Sequence, residues 1–224
     1  MRCDWIILTL ATLPCAAIAD VTLADQGHEG IVVEAGSGAP LPGAKVIAKW
    51  MVSYSSPAHS GQRCVRVVVV DSDASGHFRF APWTRQDTPV TTMYLTLSGY
   101  RPGFRPAEPS QTIVGKPSTK VIDGGPVDLP PIALRLSMTR WEPAPAERAK
   151  YLLGFLASIS CGPTNAVWGS IYEVRKGAYE EFMTFPPEVQ RSGTMDYVAW
   201  LKLRVEESRL KLAREGAETK EKTR

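Results

Sequence analysis

Apolar and polar positions alternate with a period of two through much of residues 30–138, the signature of strands with one buried and one exposed face. Gly30 to Val33 forms a first short apolar run. In residues 44–54, Val46, Ala48, Trp50 and Val52 fall on one face and Lys45, Ile47, Lys49 and Met51 on the other. The two lysines predict that the second face is solvated. Residues 63–70 end in an unbroken Val67-Val68-Val69-Val70, which predicts a strand that is central or buried on both sides. Phe78 and Phe80 alternate with His77 and Arg79, and Met93, Leu95 and Leu97 alternate with Thr92, Tyr94 and Thr96. Ile132, Leu134 and Leu136 mark a closing strand within residues 126–137. Between the first two runs, Gly36, Gly38, Gly43, Pro40 and Pro42 predict a sharp, stiff turn. Residues 20–29 read as a polar lead-in with an exposed His28-Glu29 pair, and residues 81–89 read as a loop.

After Met138 the period lengthens. Pro143 and Pro145 suit the start of a helix, and Tyr151, Leu152, Phe155, Leu156 and Ile159 share one helical face until Cys161-Gly162-Pro163 ends it. A second helix is expected over residues 165–176. Tyr179, Phe182, Met183 and Phe185 follow as an aromatic patch before Pro186-Pro187. A last helix, with Thr194 as N-cap, repeats Val198, Leu201, Val205, Ser208 and Leu212 at heptad spacing. Each helix has one apolar stripe and too few residues to bury it alone, so the three are expected to pack against the strands. The chain divides into residues 1–19, 20–138, 139–216 and a charged, frayed tail at 217–224.

The strand region carries a recognisable pattern: Gly30, then Gly38-Ala39-Pro40-Leu41-Pro42-Gly43-Ala44, then Asp73 and Gly76 before Phe78 and Phe80, then Gly99-Tyr100. It resembles the carboxypeptidase regulatory-like domain. The resemblance implies an antiparallel β-sandwich of transthyretin-like or Ig-like type over residues 20–138; with the helical region read from periodicity packed against it, the expected fold class is α+β. It implies a non-catalytic binding or interaction module. Residues 101–126 and everything after Met138 depart from the family pattern.

Composition narrows the setting. A chain of 224 residues that is 44% hydrophobic has enough apolar content for a core. A net charge of +3 is too small and dispersed to predict nucleic-acid binding. Arg2, the apolar run from Trp5 to Leu13 and Ala17-Ile18-Ala19 predict a signal peptide cleaved after Ala19. The rival reading, lipidation at Cys15, meets Pro14 where a small residue is required. Localisation is therefore expected to be periplasmic or secreted, with no transmembrane segment after cleavage. In that oxidising setting, Cys64 and Cys161 are expected to form a disulfide, with two buried free thiols as the alternative.

No nucleophile elbow, phosphate loop, dinucleotide fingerprint or zinc helix is present in the sequence. Asp71, Asp73 and Ser75 superficially match a calcium loop but lack its downstream acid, so an Asx turn is expected. No metal and no cofactor is called. A hydrolase using a cleft between sandwich and helices is the second alternative; His77 near Asp71 or Asp73 offers it part of a triad, without a placed nucleophile. The expected activity is binding, to a protein or polysaccharide of the cell envelope, with a carbohydrate-binding module as the closest variant. Trp83, Tyr100 and Arg101 are its candidate contact residues, aromatic rings and a guanidinium at or near loops.

Overall fold

The computed structural model describes residues 21–55, 60–87, 90, 92–105, 107–110, 133–161, 171–192 and 195–222. The expected signal peptide, the short apolar pieces at 113–114 and 121–122, residues 165–170 of the expected second helix and the Thr194 cap lie outside these residues.

The first two apolar runs become β2 (His28–Glu34) and β3 (Lys45–Ser55), and they enter different sheets. The turn between them makes this possible. Gly36, Gly38 and Gly43 hold φ of 91°, 69° and 68°, a left-handed region unfavourable to other side chains. The chain therefore reverses with a single bridge, Val33 to Pro40, where a hairpin would have a ladder.

β3 pairs antiparallel with β4 (Ser60–Asp71) and with β7 (Thr92–Tyr100), and β8 (Ala107–Ser110) completes a four-stranded sheet in the order β4-β3-β7-β8. β2 lies between β5 (His77–Phe80), antiparallel, and β9 (Ala133–Met138), parallel. The expected all-antiparallel arrangement is thus corrected to a mixed one. A parallel neighbour needs a long crossover, and here the chain between β2 and β9 runs through the other sheet. β1 (Val21–Asp25) and β6 (Trp83–Asp87) form a further antiparallel pair. They occupy the stretches read from sequence as a polar lead-in and a loop, because Thr22, Thr84, Arg85 and Gln86 hide the strand period under polar side chains.

One apolar cluster takes Val46, Ala48, Trp50 and Val52 from β3, Leu95 and Leu97 from β7, Phe78 and Phe80 from β5, and Leu134 and Leu136 from β9. The other face of β3 is not solvated, contrary to the reading of its lysines. Ile47, Val67 and Tyr100 join Leu152, Phe155, Leu156 and Ile159 of α1 (Pro145–Ile159), Val174 and Phe182 of α2 (Tyr172–Phe182), and Leu201 of the last helix in a second cluster. Lys49 survives there by donating from Nζ to the Ser158 carbonyl at 2.7 Å.

β4 is an edge strand, not a central one. Its valines are nevertheless used on both faces. A bulge opposite Trp50 and Met51 leaves Val65 out of register, so Val65, Val68 and Val70 face the first cluster while Cys64, Val67 and Val69 face the second. Cys64 sits at disulfide distance from Cys161 just beyond α1, with Cα atoms 5.3 Å apart.

The helices follow their stripes, with shifted limits. α2 runs on to Phe182, absorbing residues read as an aromatic patch. α3 (Pro187–Gln190) and the short pair β10 (Arg191–Ser192) and β11 (Met195–Asp196) precede α4 (Tyr197–Lys222). α4 extends through most of the segment expected to fray. Its one polar stripe residue, Ser208, is fully buried and accepts from Arg175 Nη1 at 2.8 Å, so the break in the heptad pattern marks the α2 contact. Burial and the nearby Arg204 charge pull the Arg175 guanidinium down to about 10.

Candidate functional site

The three candidate contact residues separate once the fold forms. Trp83 is 7% exposed and packs edge-on against Trp50, with ring centroids 5.6 Å apart, while the Arg66 guanidinium lies over the Trp83 ring, 5.4 Å from its centroid. Tyr100 is 2% exposed, stacks on Phe155 at 6.0 Å and donates its hydroxyl to Glu181 Oε2 at 2.9 Å. Burial, and then the Glu181 charge, push this phenol well above its ordinary pKa. Gly177 belongs to the same contact: a Cβ there would stand 3.0 Å from the Tyr100 ring. Both rings are core residues, and the reading of Trp83 and Tyr100 as loop contacts is corrected. They end strands on inward-facing positions, where large rings contribute most by burial.

Arg101 is different. It is half-buried, at the start of a loop that follows β7 and meets the segment after β9. Arg105 N–H donates to the Thr139 carbonyl at 2.7 Å, Trp141 N–H donates to the Gly103 carbonyl at 3.1 Å, and Phe104 bridges to Arg140. These backbone bonds gather guanidinium groups and rings from segments some forty residues apart. Arg101 and Arg140 lie over the Phe104 ring at 5.2 and 5.5 Å. Arg105 lies 4.9 Å from the Tyr151 ring centre and 6.0 Å from that of Trp141, and its Nε donates to the Tyr151 hydroxyl at 3.0 Å. Trp141 and Tyr151 meet edge to face at 5.0 Å. Arg105 and Arg140 are exposed; Trp141 and Tyr151 are half-exposed.

Beneath this surface the charges are balanced. Arg148, 4% exposed, donates from Nε to Glu181 and from Nη1 to the Phe104 carbonyl, and stacks on Trp141 at 5.2 Å. Glu181 thus receives both Arg148 and Tyr100. At the rim Arg140 pairs with Glu34 at 3.2 Å, and bonds from Arg140 and Ser37 hold that carboxyl below the ordinary range. Sequence reasoning found Arg101 but missed Arg105, Arg140, Trp141 and Tyr151. The only local signal is an arginine beside a ring in each segment, Phe104-Arg105 and Arg140-Trp141.

A second concave feature is a cleft of about 640 Å³ bounded by β2, β5 and the end of β4, with Glu29, Asp71, Asp73, His77 and Arg79 among its lining residues. Asp73 is engaged in the turn: its Oδ1 accepts from Ser75 N–H at 2.8 Å, Ser75 Oγ at 2.8 Å and His77 N–H at 2.9 Å. The bond from Ser75, then that from the His77 amide, hold its carboxyl below the usual range. This is an Asx turn closed by Gly76, as the sequence suggested. Ser75 is bonded to the carboxylate and not to the His77 ring, so the geometry of an activated nucleophile is not assembled here. Among the described residues no group of three His, Cys, Asp or Glu side chains is placed to hold a metal ion.

His28 also departs from its reading. It is buried, and its Nε2 stands 2.9 Å from Asp25 Oδ2, which also accepts from Trp50 Nε1 at 2.7 Å; Asp25 Oδ1 accepts from Gly27 N–H at 2.7 Å. Burial works to raise the Asp25 pKa, but the bonds from His28 and Trp50 and the His28 charge outweigh it and leave the carboxyl below its ordinary value. The knot orients Trp50 in the core.

No family model matches this chain, and comparison with curated proteins and with solved structures returns no match.

Proposed function

We propose that this protein is an exported, non-catalytic binding module of the carboxypeptidase regulatory-like, transthyretin-like β-sandwich type, and that it holds an acidic polysaccharide of the cell envelope on the arginine-aromatic surface. The observation that carries this reading is the convergence of Arg101, Arg105 and Arg140 on the rings of Phe104, Trp141 and Tyr151. Stacking restricts each guanidinium in advance, so less entropy is lost when a carboxylate or sulfate binds. The half-exposed rings add faces on which sugars can pack. Cys64 and Cys161 at disulfide distance are compatible with export. No helix of the described residues is long and apolar enough to cross a membrane.

Affinity electrophoresis through gels containing polygalacturonate or neutral dextran tests the proposal. Retardation should occur with the acidic polymer alone, weaken as salt rises, and fall by about tenfold, or 1.4 kcal/mol, in Arg105→Ala/Arg140→Ala. Equal retardation by dextran, or an unaffected double variant, would overturn it.

A further inference from the structure

The cleft beside β2 and β5 carries an inference independent of the arginine surface: we infer that it binds a zwitterionic ligand, an amino acid or short peptide with both termini free. Its volume of about 640 Å³ lies in the range of small-molecule sites, about 300 to 1,000 Å³. Ile31, Val70, Phe78 and Leu134 give it an apolar lining, and the charges around it are divided by how far they are already engaged. Asp71 is paired with Lys45 at 2.7 Å, and Asp73 is tied into its turn. Glu29 and Arg79 are exposed, and beyond the backbone ladder their side chains make no hydrogen bond or ion pair among the described residues. They are the two uncommitted full charges of the cleft, and they have opposite sign.

Their placement is set by the ladder. Glu29 stands opposite Arg79, and Ile31 opposite His77, in the antiparallel register of β2 with β5, so all four project on one face. Cross-strand partners have Cβ atoms about 4.5–5.5 Å apart, and an exposed cross-strand ion pair is worth only about 0.2–1 kcal/mol. Holding these two charges unbridged therefore costs the fold little, and a ligand entering between them gives up little. Its ammonium donates to the Glu29 carboxylate. Its carboxylate accepts two parallel bonds from the Arg79 guanidinium, the arrangement in which arginine is strongest. His77 at the rim offers a ring nitrogen to a peptide group, and the apolar lining accommodates a small side chain.

Calorimetry on the intact protein with alanyl-alanine, its N-acetyl derivative and its C-terminal amide tests this. The free dipeptide should bind, and each cap should weaken binding by about tenfold. Glu29→Gln should remove the penalty of acetylation alone, and Arg79→Gln the penalty of amidation alone. Both variants should keep the parent melting temperature and the parent retardation by polygalacturonate, which separates this site from the arginine surface. Absence of binding by the free dipeptide, or equal binding of the three compounds, overturns the inference.

Discussion

The two faces of β3 are built from one strand but held by different physics. Toward the three-stranded sheet, Val46, Ala48, Trp50 and Val52 are buried among other apolar side chains, with one polar knot at Asp25. Toward the helices, Ile47 is equally buried, but its surroundings include Lys49 on a carbonyl, Arg148 and Tyr100 on Glu181, and the Cys64 and Cys161 pair. The first face is a continuous apolar core whose energy scales with buried area. The second is an apolar contact registered by a few specific bonds, each costly to leave half-made. An interface of the second kind fixes how the helices sit, and α1 is what supplies Tyr151 to the arginine surface.

The largest effect that would sharpen this contrast is on the apolar side. Trp50→Ala removes a fully buried ring and strips Asp25 of a donor, and should cost about 3–5 kcal/mol, read as a lowered denaturant midpoint. A loss below about 1 kcal/mol would mean that the core repacks around the missing ring.

On the helix side, Arg148→Met leaves the half-buried Glu181 against Tyr100 without its cation and should cost about 3 kcal/mol. Adding Glu181→Leu should recover most of that loss, because the penalty is an unpaired charge and not a missing contact. Hydrogen exchange should show the single variant opening α1 and α2 before β3. Simultaneous opening of sheet and helices would erase the distinction between the faces.

The smallest effect concerns pH. The folded Asp25 carboxyl lies below its unfolded value of 3.8, so the stability it contributes is fully present above that value and is lost as pH falls through the lower folded pKa. Asp25→Asn should cost about 1.5 kcal/mol at neutral pH and show a shallower loss of stability on acidification below 3.8 than the parent. Parallel pH profiles for the two proteins would show that the knot is not what acid breaks.

Much of the architecture was legible in the chain because a strand or helix writes its period directly into neighbouring residues. The Trp50 face of β3, the Phe78 and Phe80 pair and the α1 stripe were read correctly on that basis. The readings that failed were those in which a residue's fate depends on a distant partner. Lys49 looks like a solvated lysine until Ser158 covers it, and His28 looks exposed until Asp25 and Trp50 close on it. β1 and β6 are strands because they pair with each other, with little apolar signal of their own.

The functional surfaces divide in the same way. Sequence alone determined that the glycine and proline turn reverses the chain, that strands precede helices, and that Arg101 follows a strand end. Each is a statement about local backbone geometry, where φ, ψ and side-chain direction repeat over two to four residues. Only the tertiary structure decided that Trp83 and Tyr100 are core, that β9 lies parallel to β2, that Arg101 and Arg140 share the Phe104 ring while Arg105 meets Trp141 and Tyr151, and that Glu29 stands beside Arg79 in the ladder of β2 with β5. Those outcomes depend on which elements become neighbours, a choice made by the packing of whole faces, and no short window of residues contains it.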